Sequence, residues 1–217
     1  MKVVHLHSVG STQDECFRLL RDGEPVAVRA DVQTAGRGRF GRLWHSPPGG
    51  LWLSIGLVDV DGLACSLAGP VAVCRTVTRF IPRKAVIHPP NDVILDQRKL
   101  AGVLVEVRGN LVVTGFGLNV YQEVFPEDIK AISLVQAGGE GFNLDLLANG
   151  LMGDFADLLA GGMAGLLGAY QENLGPLGKE VVVNGTRGVL SSVSERGFLV
   201  GERTIGFGEF SGMEVVG

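Results

Sequence analysis

Two apolar runs, Leu100–Val107 and Leu111–Phe116, are separated only by Arg108, Gly109 and Asn110. A short glycine-containing connection between such runs predicts an antiparallel hairpin, and an apolar hairpin must be built into a covered sheet. Further strands are expected at Lys2–Leu6, Val26–Ala30, Leu51–Val58 and Ala85–Ile87. Val93–Leu95 is expected to pair with the first run through a turn formed by Asp96, Gln97, Arg98 and Lys99. One helix is predicted from near Thr12 to Gly23, where Thr12 and Glu15 have capping-box spacing. Ser11 and Thr12 are thus read as caps, with presentation of their hydroxyls to a ligand as the alternative. A second helix is predicted over Leu63–Phe80, ended by Pro82, and two more over Phe142–Ala148 and Leu151–Leu174. Strands alternating with helices in this way indicate an α/β or α+β domain, not a sandwich. After Leu174 the pattern changes to short strands at Glu180–Val183, Gly188–Val193, Phe198–Val200 and Thr204–Phe207. This predicts a small barrel-like unit that leans on the main domain and has a structural role.

The most unusual stretch is Gly36–Trp44, GRGRFGRLW, preceded by Gln33. Arg37, Arg39 and Arg42 alternate with glycines and no acid intervenes, so the segment is a flexible cationic loop suited to an anion. It has neither the spacing of a Walker loop nor that of a dinucleotide-binding turn. An ordinary basic surface loop, or one that touches RNA, is the competing reading. Pro89 and Pro90 stiffen the approach to Asn91 and Asp92 and hold them at the mouth of a turn. Lys99 stands before an apolar strand, either as a solvated turn residue or as a charged head directed at the strand entrance. Gly115, Gly117 and Asn119 close the hairpin with a stretch that allows close backbone approach and offers both a donor and an acceptor.

Other classes are disfavoured. A net charge of -4 argues against a general nucleic-acid binder. Cys16, Cys65 and Cys74 are scattered through apolar pattern and read as buried thiols. His5 and His7 share one side of a strand, but His45 and His88 are isolated, so no zinc site is expected. No run is long enough to span a membrane and no signal peptide is recognised, so a cytoplasmic location is expected.

Taken in order, Ser11-Thr12, Gln33 with Gly36–Trp44, Pro90-Asn91-Asp92, Lys99-Leu100-Ala101-Gly102 with Glu106, the set Gly115, Gly117 and Asn119, and Ala131–Leu134 resemble the motifs of biotin protein ligases. These enzymes activate biotin with ATP and attach it to a lysine of a carrier protein. The resemblance covers nearly the whole chain. It implies an α+β fold with a mixed or antiparallel sheet and packed helices over residues 1–174, plus a small SH3-like β-barrel over 178–217.

The resemblance also implies roles. Arg37 and Arg39 would neutralise phosphate, while Gly36 and Gly38 let the loop close. Trp44 would lie beside the adenine, and Ser11, Thr12 and Gln33 would border the ureido ring. Asn91 and Asp92 would organise the nucleotide and its magnesium, with Asp92 also a candidate base. Asn119 would border the nucleotide, Lys99 would sit near the phosphates or lock the closed loop, and Arg42, Gly102, Gly115 and Gly117 would be ligand-lining. Biotin and ATP with Mg2+ are the implied substrates and ion, and the biotin carboxyl carrier protein of acetyl-CoA carboxylase is the implied partner. A homodimer through a sheet edge is expected. DNA binding is not, because no winged-helix segment precedes the domain. The chain departs from the family pattern in having His88-Pro89 where Lys-Trp is usual, which makes His88 a catalytic position of altered charge, and in having Gln13 for asparagine. The alternatives are a lipoate-type ligase and a biotin binder that has lost catalysis.

Overall fold

The hairpin lies at the heart of a seven-stranded sheet in the computed structural model, which describes residues 1–20, 23–127 and 129–216. In chain order the strands are β1 (Lys2–Val9), β2 (Val26–Gln33), β3 (Leu51–Val58), β4 (Val86–His88), β5 (Asp92–Leu95), β6 (Arg98–Arg108) and β7 (Leu111–Leu118). Side by side they run β1-β2-β3-β7-β6-β5-β4. β1 and β2 are parallel, and the other neighbours are antiparallel. Asp96 and Gln97 both take positive φ, 49° and 60°, so the turn between β5 and β6 needs only two residues. Arg98 and Lys99, expected in that turn, therefore belong to β6.

Each face of the sheet has its own cover. On one side α1 (Thr12–Leu19) packs Cys16 and Phe17, with Leu20 just beyond the helix, against Val26, Val28 and Val113. On the other, Leu51, Leu53, Ile55, Val103 and Phe116 meet α2 (Gly62–Thr78) and α3 (Leu144–Ala160), with α4 (Gly162–Asn173) behind. Phe116 and Phe155 meet edge to face with centroids 5.4 Å apart. The first helix stops before the expected Gly23, and the intervening Arg21 and Asp22 lie outside the described residues. Its cap also differs from expectation: Ser11 occupies the N-cap but makes no side-chain capping bond, and Thr12 is already helical. The break between the last two helices falls at Gly161–Gly162, where Gly162 has φ +72°, and not at Asn149–Gly150. Gly150 instead lies beneath the Arg79 guanidinium, whose Nη2 would be 3.1 Å from an added Cβ, so it serves helix packing and not termination.

The C-terminal strands are β8 (Glu180–Val183), β9 (Thr186–Ser194), β10 (Gly197–Val200), β11 (Arg203–Ile205) and β12 (Met213–Val215), arranged β11-β10-β9-β8-β12. β12 has no counterpart in the sequence reading, which placed no strand beyond Phe207. Phe198, Val200 and Phe210 belong to the same buried cluster as Leu166, Tyr170 and Leu174, so this sheet shares the core of the main one.

Candidate active site

A cavity of about 380 Å³ opens on the α1 face of the sheet. Small residues make the depression: Ser54 pairs with Gly115, and Gly117 lies between Trp52 and Gly102 on neighbouring strands. Trp44 lies across this floor. An added Cβ at Gly117 would come within 2.4 Å of its indole, and one at Gly102 within 3.0 Å. At Gly115 the atom met is Gln13, also at 3.0 Å. These three glycines therefore make room for the protein's own side chains around the pocket. Gly36 behaves likewise, since a Cβ there would be 2.6 Å from Ser46 Oγ and from the Trp44 carbonyl.

One end of the cavity is built from neutral polar groups. The Thr12 backbone N–H and hydroxyl both donate to Gln33 Oε1, at 2.8 and 2.9 Å, and Ser54 Oγ lies 2.8 Å from the Thr12 hydroxyl. Gln33 Nε2 donates to Ser46 Oγ at 2.9 Å, and that hydroxyl donates to the Trp44 carbonyl. The helix start thus directs the Thr12 hydroxyl into this network and the Ser11 hydroxyl to Arg37, and neither caps the helix. Ser54 and Ser46 were missed by the motif reading; Ser54 is the lone polar residue in LWLSIGLV, a signal that was available, whereas Ser46 has none.

The other end is charged. Lys99 Nζ is 2.7 Å from Asp92 and 5.1 Å from the centre of a Trp44 ring. His88 faces Asp92 across the β4–β5 pair. Burial pushes the His88 pKa below its ordinary 6.5, with Lys99 adding slightly and with Asp92 and the Met213 backbone opposing. The imidazole is therefore neutral at pH 7. Arg39 donates to the Phe207 carbonyl at 3.1 Å, and burial lowers its pKa against support from Asp92. Asn91 Nδ2 donates to the Val103 carbonyl, and Tyr170 donates to the Pro90 carbonyl, so the proline turn is anchored from both sides. Asn119 donates to the carbonyls of Lys99 and Ile132 and ties the Ala131–Leu134 segment to β6.

Arg37 lines the cavity beside Ser11. Its guanidinium donates to Asp14, Ser11 and Glu106, which raises the Arg37 pKa and lowers that of Asp14. Gly38, Arg39 and Arg42 line the cavity with it, and Arg42 and Arg39 flank the Phe40 ring. Phe40, Leu43, Val124 and Ile129 form an exposed apolar rim. Of these, Val124 and Ile129 come from a loop that the sequence reading left without a role. Ser211, Gly212 and Met213 of the C-terminal region also line the cavity, so that region is not merely structural packing. His5 and His7 both bond Asp31, at 2.6 and 3.1 Å, on β1 and β2.

The sequence model of the biotin/lipoate A/B protein ligase family matches residues 11–120, and the chain belongs to that family. It is 39% identical over 141 residues to a biotin--[acetyl-CoA-carboxylase] ligase of Mycobacterium tuberculosis, covering 59% of this chain and 53% of the relative. It is 36% identical over 148 residues to the bifunctional ligase/repressor BirA of Bacillus subtilis, covering 61% and 46%. The chain thus spans about half the length of the curated relatives it matches. Among solved structures, the biotin protein ligase from Aquifex aeolicus in complex with biotin and ATP superposes with a TM-score of 0.85 at 28% identity, over 99% of each chain.

Proposed function

We propose that the chain is a biotin protein ligase that first joins biotin to AMP and then transfers it to a carrier lysine. The observation that carries this reading is the pairing, within one cavity, of a neutral polar end with a cationic one. A cyclic urea needs matched donors and acceptors, and the Thr12, Gln33 and Ser11 groups offer them. A nucleotide needs charge neutralisation, and Arg39, Lys99 and Arg42 stand on that side.

In the first step a biotin carboxylate oxygen bonds to the α-phosphorus while the bond to pyrophosphate breaks. Two anions must meet, so Arg37, Arg39 and Lys99 offset their repulsion. A magnesium ion carried in with the nucleotide needs only one or two protein carboxylates, and Asp92 is one; when bound it would neutralise phosphate charge. Among the described residues no group of three or more ligating side chains stands ready, which accords with an ion held mainly by phosphate. In the second step a deprotonated lysine amine attacks the acyl carbon and AMP leaves. The apolar rim of Phe40, Leu43, Val124 and Ile129 would shield the mixed anhydride from water until then. Asp92 is paired with Lys99, and we assign it to organising charge, with its service as base secondary.

The implied acceptor is the biotin carboxyl carrier protein. A second copy would pair along β6, whose residues beyond Gly102 have no β5 partner and present the exposed Val107. The three unpaired buried thiols fit a cytoplasmic location, and among the described residues no helix is long and apolar enough to cross a membrane. The test is to incubate a carrier domain with the protein, magnesium-ATP and either biotin or lipoate, and to weigh the carrier. A gain of one biotinyl group without lipoylation supports the reading; lipoylation alone would replace it with the related acyl ligase.

A further inference from the structure

We propose that Tyr170, a fully buried residue of α4 outside the cavity lining, is a positioning residue whose hydroxyl sets the turn that carries Asn91 and Asp92 to the charged end. The kinetic part of this inference rests on the ligase reading; the structural part does not. The Tyr170 hydroxyl donates at 2.7 Å to the Pro90 carbonyl, and Pro90 directly precedes Asn91 and Asp92. Neither Pro89 nor Pro90 can donate a backbone hydrogen bond, so the turn is fixed through its carbonyls and through Asn91. The Asn91 side chain donates to the Val103 carbonyl at 2.8 Å, and the Asn91 carbonyl accepts from Val103 N at 2.9 Å. β6 thus grips the turn at Asn91, and Tyr170 grips it one residue earlier from the helical layer.

The end of α4 supports the same hairpin at a second point. β4 is the last strand of the sheet, and its outer edge is met by the residues that follow the helix. Leu174 bridges Ile87, and Gly175 N donates to the Ile87 carbonyl at 3.0 Å. The approach is so close that a Cβ on Gly175 would lie 2.7 Å from a Val86 methyl. The hairpin that presents His88, Asn91 and Asp92 is therefore held at both Ile87 and Pro90 by one stretch of chain.

The Tyr170 ring is itself fixed by the C-terminal sheet. Phe198 on β10 packs against it with centroids 6.1 Å apart, and the neighbouring Gln171 side chain accepts from Val193 N at 3.3 Å. A buried phenol has to place its O–H on an acceptor, and the Pro90 carbonyl is that acceptor. Burial lifts the Tyr170 pKa well above its ordinary 10, so the phenol remains a donor at neutral pH.

Tyr170→Phe deletes the donor and keeps the ring. In pyrophosphate release with biotin and magnesium-ATP, this variant should show kcat lowered about tenfold, because the charged end loses a support. Its biotin dissociation constant, by calorimetry, should stay within about twofold of wild type. Because the hydroxyl acts through the turn, the same change made in Asp92→Asn protein should cost less than about twofold more. Amide exchange reads the anchoring without substrate. The Val103 N–H, bonded to Asn91, should exchange about tenfold faster in Tyr170→Phe, while the Thr12 N–H at the neutral end should not change. Gly175→Ala pushes on the same hairpin from its other support and should give the same pattern at smaller amplitude, which serves if Tyr170→Phe fails to fold. An unchanged kcat, an unchanged Val103 exchange rate, or a further loss of about tenfold in the Asp92→Asn background would each overturn the proposal. Wild-type protein that releases no pyrophosphate would instead overturn the ligase reading, and the exchange rates would still decide the anchoring.

Discussion

The two ends of the cavity differ in how their side chains are held. At the Thr12–Gln33 end, neutral groups are bonded to one another through Ser54 and Ser46 and form one connected network. At the Asp92–Lys99 end, Lys99 is bound to a carboxylate and Arg39 to a carbonyl, so an incoming polyanion must draw cations away from existing partners. A neutral ring gains from preorganised donors and acceptors, whereas phosphate gains most from cations placed where charge develops in the transition state. The difference assigns shape recognition to the first end and charge stabilisation to the second.

Substitutions at each end should therefore affect different constants. The largest effect is expected for Arg39→Ala, which should lower kcat for pyrophosphate release by on the order of a hundredfold, with a smaller change in biotin KM. An equal loss in both constants would erase the distinction. Next is Gly117→Ala. Its methyl would collide with Trp44, which underlies both ends, and urea unfolding should record a loss of about 1–3 kcal/mol. Thr12→Val removes the hydroxyl from the neutral network and should weaken biotin binding by calorimetry about tenfold, leaving ATP KM nearly constant. A comparable loss of ATP affinity would mean that the two ends are not separate.

The smallest effect concerns His88. Its pKa is lowered by burial, so the imidazole gains charge only as pH falls below the ordinary value of 6.5 and is neutral above it. The fall in rate above pH 7 that a partly charged histidine would give is thus not expected. His88→Lys, which keeps a cation at neutral pH, should speed adenylate formation by about threefold, and the advantage should shrink as the medium is acidified. Parallel pH profiles of the two proteins would show that charge at this position does not matter.

The sheet was legible because the apolar runs of β3, β6 and β7 are bounded by glycine, asparagine and proline, and such patterns admit few pairings. The break after Gly161 was not, because Gly150 and Gly162 look alike in sequence and differ only in what packs above them. The loop, the proline turn and the lysine strand were legible as separate motifs. Their connection was not: that Arg37 meets Asp14 and Glu106 depends on α1 packing over β3 and β7, the latter the neighbour of β6. The same holds for Ser211–Met213, brought to the cavity by a short strand with no pattern of its own.

The central claim, that this cavity joins biotin to a nucleotide and does not merely hold it, is tested most directly by pyrophosphate release in the absence of any carrier. With biotin and magnesium-ATP the protein should release pyrophosphate in a burst of about one equivalent per site, because the adenylate stays in the pocket. Biotin binding without any pyrophosphate would contradict the account and leave the protein as a binder.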